Sequence, residues 1–114
     1  MKLFVYGTLR RGEPAHALLK DAPLVAVVRT EPSFELVDMG SYPALIEGGD
    51  TAVTGEIYEV EPELLVELDR YEDVPRLYQH AWLVIGGDQV LTYLLPRALA
   101  SGHPRLATGD WLTR

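Results

Sequence analysis

Leu68-Asp69-Arg70-Tyr71-Glu72-Asp73-Val74-Pro75-Arg76-Leu77-Tyr78 is where a helical pattern gives way to a strand pattern, and the fold class follows from that change of period. Upstream, Leu64, Leu65, Leu68 and Tyr71 recur at helical spacing behind Pro62, with Glu61, Glu63, Glu67 and Asp69 on the wet side. This predicts a helix that opens on a proline, where the missing N–H costs least, and ends near Tyr71. Downstream, Tyr78 to Ile85 and Gln89 to Leu95 are strand-like runs joined by Gly86-Gly87-Asp88, a hairpin signal because glycine and aspartate supply the positive φ of the turn. Glu72 is left at the break, a carboxylate at a junction expected to face inward, and sites are often built at such junctions.

Working back toward the N-terminus, Val53 to Val60 alternates imperfectly, which predicts a strand buried on both faces or bulged near Gly55. Gly40-Ser41-Tyr42-Pro43 interrupts the pattern before the short apolar run Ala44-Leu45-Ile46, and the proline pushes Tyr42 toward an extended conformation. Leu24 to Val28 and Phe34 to Met39 read as two strands, with Glu31-Pro32-Ser33 between them, expected to pair as a hairpin. Leu3 to Tyr6 reads as a buried strand ended by Gly7-Thr8, and Ala15 to Leu19 as a short helix behind Pro14. Beyond the hairpin, Arg97 to Leu106 has room for one helical turn, and Trp111 carries an indole that needs cover. Five to seven strands and two short helices, mostly hairpin-connected, imply an α+β domain built on a small closed or nearly closed mixed barrel. Its pockets would open at the mouth, where Gly7-Thr8 and Glu72 would have to converge.

Length and composition set the bounds. At 114 residues the chain fits one domain, residues 1–114, and one pocket in place of an interdomain cleft. It is 47% hydrophobic and 24% charged, the balance of a folded soluble domain. Seventeen acidic against ten basic residues give a net charge of −7, which argues against nucleic acid as a partner. There is no cysteine, so disulfides, thiolate nucleophiles and cysteine-based metal sites are excluded and a cytoplasmic location is expected. The apolar start, Met1 to Tyr6, is too short for a signal peptide and no stretch has the length of a membrane span, so no membrane partner is expected.

Several chemistries fall away on inspection. His16, His80 and His103 have no paired spacing, and no metal is implied. Ser33, Ser41 and Ser101 lack a nucleophile-elbow context. Gly7-Thr8-Leu9-Arg10-Arg11-Gly12 follows a strand as a phosphate loop does, but without the Gly-Lys-Ser/Thr ending. What the residues do offer is a turn at Tyr6-Gly7-Thr8-Leu9 whose backbone N–H groups could hold a carboxylate or an oxyanion, or could simply end a strand. Taken alone, Glu72 reads as a solvated helix-end glutamate sooner than as a proton-transfer group, and Arg10 as a plain surface arginine sooner than as a helper of the turn.

Five motifs in order shift that balance. Tyr6-Gly7-Thr8-Leu9-Arg10, Tyr42-Pro43-Ala44-Leu45, Gly55-Glu56-Ile57-Tyr58, Leu68-Asp69 through Glu72 to Tyr78, and Gly109-Asp110-Trp111 together resemble the gamma-glutamylcyclotransferase-like family, on the side of its gamma-glutamylamine cyclotransferases and small bacterial members. The resemblance implies a small mixed barrel with flanking helices and the release of an amine from a gamma-glutamyl compound as 5-oxoproline forms, with no cofactor. It implies Glu72 as the catalytic acid/base, Tyr6, Gly7, Thr8 and Leu9 as the loop cradling the glutamyl group, and Tyr42, Pro43 and Tyr78 as lining of the same cavity. The expected partner is a small gamma-glutamyl substrate bound by a monomer or homodimer. Many members of that family carry glycine where this chain has Asp73: if Asp73 faces the pocket it raises the pKa of Glu72, and if it faces water it does little. On the residues alone two other readings stay open, a non-catalytic module holding a carboxylate-bearing metabolite and a hydrolase or lyase acting on another small acyl-amine.

Overall fold

The computed structural model describes residues 1–114 and arranges them as seven strands, one α-helix and three single 3-10 turns. The strands are β1 (Lys2–Val5), β2 (Leu24–Arg29), β3 (Phe34–Asp38), β4 (Pro43–Glu47), β5 (Thr54–Glu59), β6 (Gln79–Ile85) and β7 (Asp88–Leu94), and helix α1 spans Pro62–Tyr71 between β5 and β6. The 3-10 turns are His16–Leu19, Arg97–Ala100 and Trp111–Thr113.

Five strands form one mixed sheet in the order β2-β5-β1-β7-β6, in which β1 and β7 are parallel and the other neighbours antiparallel. β3 and β4 form a separate antiparallel pair. The architecture is therefore α+β with a mixed sheet, but no sheet is closed as a barrel. β2 and β6 end the larger sheet as edges, and β3–β4 joins it through packing and through bonds at its margin, among them that from the Leu95 N–H to the Leu45 carbonyl.

β1 is the central strand, and its period of two explains how the core is divided. Leu3 and Val5 pack with Leu64 and Leu68 of α1 and with Leu91 and Tyr93 of β7; Phe4 and Tyr6 pack on the other side with Ile57, Val90 and Trp111. α1 begins at Pro62, carries Glu63 in its first turn and Arg70 in its last, and so meets the helix dipole with the right charge at each end. It stops at Tyr71 because Asp73 takes a left-handed φ of 55°.

The expected hairpin of β6 and β7 forms with a two-residue turn, Gly86 and Gly87, both at positive φ. Asp88 lies already in the strand, opposite Ile85. β5 is buried on both faces at Gly55 to Tyr58, and the irregularity lies across from it, in β2 between Leu24 and Ala26. One expected pairing is overturned: β2 and β3 do not form a hairpin. β2 pairs with β5 and β3 with β4, because Thr30 is locked to Val53 by a backbone bond of 2.9 Å and a hydroxyl bond of 3.0 Å, and Pro32 then carries the chain across to the second sheet. No helix is long and apolar enough to cross a membrane.

Candidate active site

The central strand ends at Val5, and the turn that follows, Tyr6 to Leu9, forms one wall of a cavity of about 230 Å³. Gly7 lies so close to Pro43 that a Cβ on it would stand 2.3 Å from the proline Cγ, and only glycine lets the turn settle there. The turn's carbonyls are committed to the chain behind it: Gly7 O accepts from Arg10 N at 3.0 Å, Thr8 O from Ala15 N at 2.9 Å, and Leu9 O from His16 Nδ1 at 2.9 Å. The N–H groups of Gly7, Thr8 and Leu9 donate to no protein group. A cavity-lining turn thus holds three successive backbone donors without partners, an arrangement that suits an anion.

Glu72 stands at the end of α1, its N–H still bonded to Leu68 O at 2.8 Å and its carbonyl met by Tyr78 N at 3.4 Å. Its backbone is anchored, but its carboxyl has neither a hydrogen bond nor a cation. Burial in the cavity disfavours the charged form and pushes its pKa up to about 7. Asp73 takes no part in that. Its carboxylate faces solvent and is held by Arg76 Nε at 2.9 Å and Nη2 at 2.7 Å. The left-handed φ at Asp73 is what turns consecutive carboxylates in different directions.

The rest of the lining is aromatic and largely pinned. Tyr6 donates its hydroxyl to Tyr93 O at 2.7 Å, and Tyr78 donates to Pro43 O at 2.8 Å. Tyr93 donates to Asp69 Oδ1 at 2.7 Å, which also contacts His80 Nε2 at 2.6 Å. Tyr42 meets Tyr78 edge-on, with ring centroids 6.5 Å apart. Burial raises the phenol pKa values of Tyr6, Tyr78 and Tyr93, helped at Tyr93 by the Asp69 carboxylate it is bonded to and at all three by the Glu72 charge, so these hydroxyls stay neutral. Thr8 Oγ1 and Tyr71 OH lie 2.9 Å apart and join the donor turn to the helix end.

All eight residues expected at a site, Glu72, Tyr6, Gly7, Thr8, Leu9, Tyr42, Pro43 and Tyr78, line this one cavity. Tyr71 and Tyr93 line it as well and were not expected. Tyr71 belongs by spacing to the buried stripe of α1, yet is 46% exposed at the rim; its place beside Glu72 was the available signal. Tyr93 enters because β7 lies parallel to β1, a pairing of distant strands with no local signature. Arg10 is neither a cavity residue nor a surface one: it is 4% exposed, behind the turn. No lysine or arginine lines the cavity, and Glu72 is its one acidic residue.

Comparison with known proteins agrees along the whole chain. The family model described as "Gamma-glutamyl cyclotransferase, AIG2-like" matches residues 3–113. A Vibrio cholerae protein provisionally named a gamma-glutamylcyclotransferase is 37% identical over 112 residues, covering 98% of this chain and 96% of its own. The gamma-glutamylaminecyclotransferase of Mus musculus is 42% identical over 92 residues, 73% of this chain, which spans only 62% of that longer protein. The crystal structure of an AIG2-like protein from Mus musculus superposes with a TM-score of 0.82 at 34% identity, over 96% of this chain and 87% of that one.

Proposed function

The chain belongs to the gamma-glutamyl cyclotransferase, AIG2-like family, an enzyme family by the names of its relatives, and on that premise we propose that it converts a gamma-glutamyl compound into 5-oxoproline and a free amine, with Glu72 as the general acid and base. The observation that carries this reading is the unpaired Glu72 carboxyl, which lines the same cavity as a turn with three unpartnered backbone donors.

The chemistry needs little else, because the substrate brings both nucleophile and electrophile. Its α-nitrogen attacks its own γ-carbonyl carbon, a C–N bond forms to close a five-membered ring, and the bond from that carbon to the departing amine breaks. At neutral pH the α-nitrogen is an ammonium, so a proton must leave before attack. A carboxyl that titrates near 7 is present in both forms at neutral pH and can take that proton, then deliver it to the amide nitrogen as its bond breaks. The second surplus proton of the ring nitrogen follows to the freed amine, and substrate and products carry the same total charge. No step consumes water or calls on a cofactor.

The donor turn has two possible uses in this scheme. The N–H groups of Gly7, Thr8 and Leu9 can hold the substrate α-carboxylate, which fixes the chain in a folded near-attack shape, or the oxyanion that develops on the γ-carbonyl. Tyr42, Pro43 and Tyr78 supply the walls that press the γ-glutamyl chain into a ring-closing conformation. The product discriminates this reading from a hydrolase, which would yield linear glutamate, and from a binding module, which would yield nothing. Incubation with a panel of γ-glutamyl amines, γ-glutamyl amino acids and glutathione should release 5-oxoproline from at least one member. Its kcat/KM should rise with pH through an ionisation near 7. Silence across the panel, or glutamate as product, would overturn the proposal.

A further inference from the structure

Behind the donor turn lies a buried ion cluster that the proposed chemistry does not use. Arg10 Nε donates to Glu56 Oε2 at 2.9 Å and its Nη1 to Asp110 Oδ1 at 2.9 Å. The other oxygen of Glu56, Oε1, accepts from Arg11 N at 2.9 Å and from the Tyr58 hydroxyl at 2.8 Å. Arg10 and Glu56 are 4% and 5% exposed. Asp110 also caps the last 3-10 turn through Leu112 N, and the adjacent Trp111 donates from its indole to Glu13 Oε1 at 2.9 Å. The motifs Gly55-Glu56-Ile57-Tyr58 and Gly109-Asp110-Trp111, far apart in the chain, thus grip residues 10 to 13 from two sides.

A buried ion pair is a poor way to gain stability, since apolar side chains of similar volume commonly do as well or better. What it does supply is geometry: a planar guanidinium bonded in two directions fixes its own backbone in a way that a flexible contact does not. Arg10 is also the residue whose N–H closes the turn by bonding to Gly7 O. From these contacts we propose that Arg10, clamped between Glu56 and Asp110, is a positioning residue that holds the N–H groups of Gly7, Thr8 and Leu9 at the angle the cavity requires. The clamp pulls from behind, leaving the donors free in front, and donors are worth most to a reaction when they need no reorganisation. This assignment rests on the reading of the turn as a substrate or oxyanion cradle.

The test separates the clamp from that reading. Arg10→Lys and Glu56→Gln are compared with the wild type by backbone amide NMR without ligand and by 5-oxoproline formation, at a temperature where the spectra show both variants folded. The clamp predicts that the Gly7, Thr8 and Leu9 amides shift and broaden while β3 and β4 keep their positions. It also predicts that kcat/KM falls by about 10²-fold, as a misplacement of about 1 Å can cause. The pH at which kcat/KM rises should stay where the wild type has it, because Glu72 is untouched. Folded variants with unchanged turn amides overturn the proposal, whatever their activity; so do variants with displaced amides and wild-type kcat/KM. If either variant fails to fold, Asp110→Asn, which loosens only the more exposed end of the clamp, gives the same readouts. A wild type that makes no 5-oxoproline sinks the cyclotransferase reading, while the amide shifts still decide the clamp.

Discussion

Glu56 and Glu72 are the same side chain withdrawn from water in two corners of one small protein, and they end in opposite states. At Glu56 burial would raise the pKa, but the Arg11 N–H, the Arg10 guanidinium and the Tyr58 hydroxyl outweigh it and hold the carboxyl below its usual range. The cost appears on the partner, as burial and the Glu56 charge push the Tyr58 phenol up to about 12. At Glu72 nothing answers the burial, and the pKa rises to about 7. Burial by itself therefore does not make a carboxylate reactive; the absence of donors does. Glu56 is spent on structure, whereas the Glu72 carboxyl stays uncommitted, as the proposed proton transfer requires.

The largest expected effect strikes the chemical side of this contrast. Glu72→Gln keeps the volume and removes the proton-transfer group, so turnover to 5-oxoproline should fall by about 10²–10⁴-fold, the usual contribution of a positioned acid/base. Equilibrium binding of 5-oxoproline should persist in that variant, because the donor turn is intact. Unchanged turnover would sink the assigned role.

The same substitution should have opposite signs on stability at the two positions, which denaturant titration can read directly. Glu56→Gln removes the more deeply buried of the two anions that hold Arg10, leaving only Asp110, and should cost about 3 kcal/mol at pH 7. A carboxylate whose folded pKa is depressed stabilises the fold above its unfolded pKa and loses that contribution as pH falls through the folded value, so the deficit should shrink in acid. Glu72→Gln runs the other way. A folded pKa near 7 means that the native state holds a proton the unfolded chain releases above about pH 4.5, so wild-type stability falls as pH rises from there to about 7. The glutamine has no charge to bury and should be more stable than wild type by about 3 kcal/mol at pH 8 and equal to it at pH 4. Two losses of equal sign would mean that Glu72 has a partner after all.

How far these two carboxylates could be told apart from sequence follows from what each depends on. Glu72 was visible because its signals are local: the stripe Leu64 to Tyr71, the break, and Pro75 all lie within a few residues of it, and α1 and the β6–β7 hairpin came out with them. Its unpaired state was not visible, since that depends on what surrounds the cavity. Glu56 depends on residues 46 and 54 positions away, Arg10 and Asp110, so although the imperfect alternation of Val53 to Val60 allowed a strand buried on both faces, nothing local marked Arg10 as its partner. The same distance hid the β2–β5 and β1–β7 pairings and led to the expectation of a β2–β3 hairpin and a closed or nearly closed barrel. Local period reports the elements; the order of strands in the sheet rests on contacts that only the assembled chain contains.

Asp73 offers the finest test, because the account of Glu72 gives this nearest carboxylate almost no influence. Charge repulsion and burial would both raise the pKa of Glu72, but they differ in what neutralising Asp73 does. The Asp73 carboxylate is turned to solvent by its left-handed backbone and paired with Arg76, so water, salt and the guanidinium screen it from the cavity. Asp73→Asn keeps a side chain that tolerates left-handed φ and removes only the charge. Stability should change by less than about 0.5 kcal/mol, as for other exposed pairs. The rise of kcat/KM with pH should stay within about 0.3 unit of wild type, whereas repulsion between facing carboxylates would move it down by a unit or more. A shift of that larger size would make Glu72 reactive through its neighbour's charge, and the contrast with Glu56 would then be one of surrounding charges, with the missing donors a secondary matter.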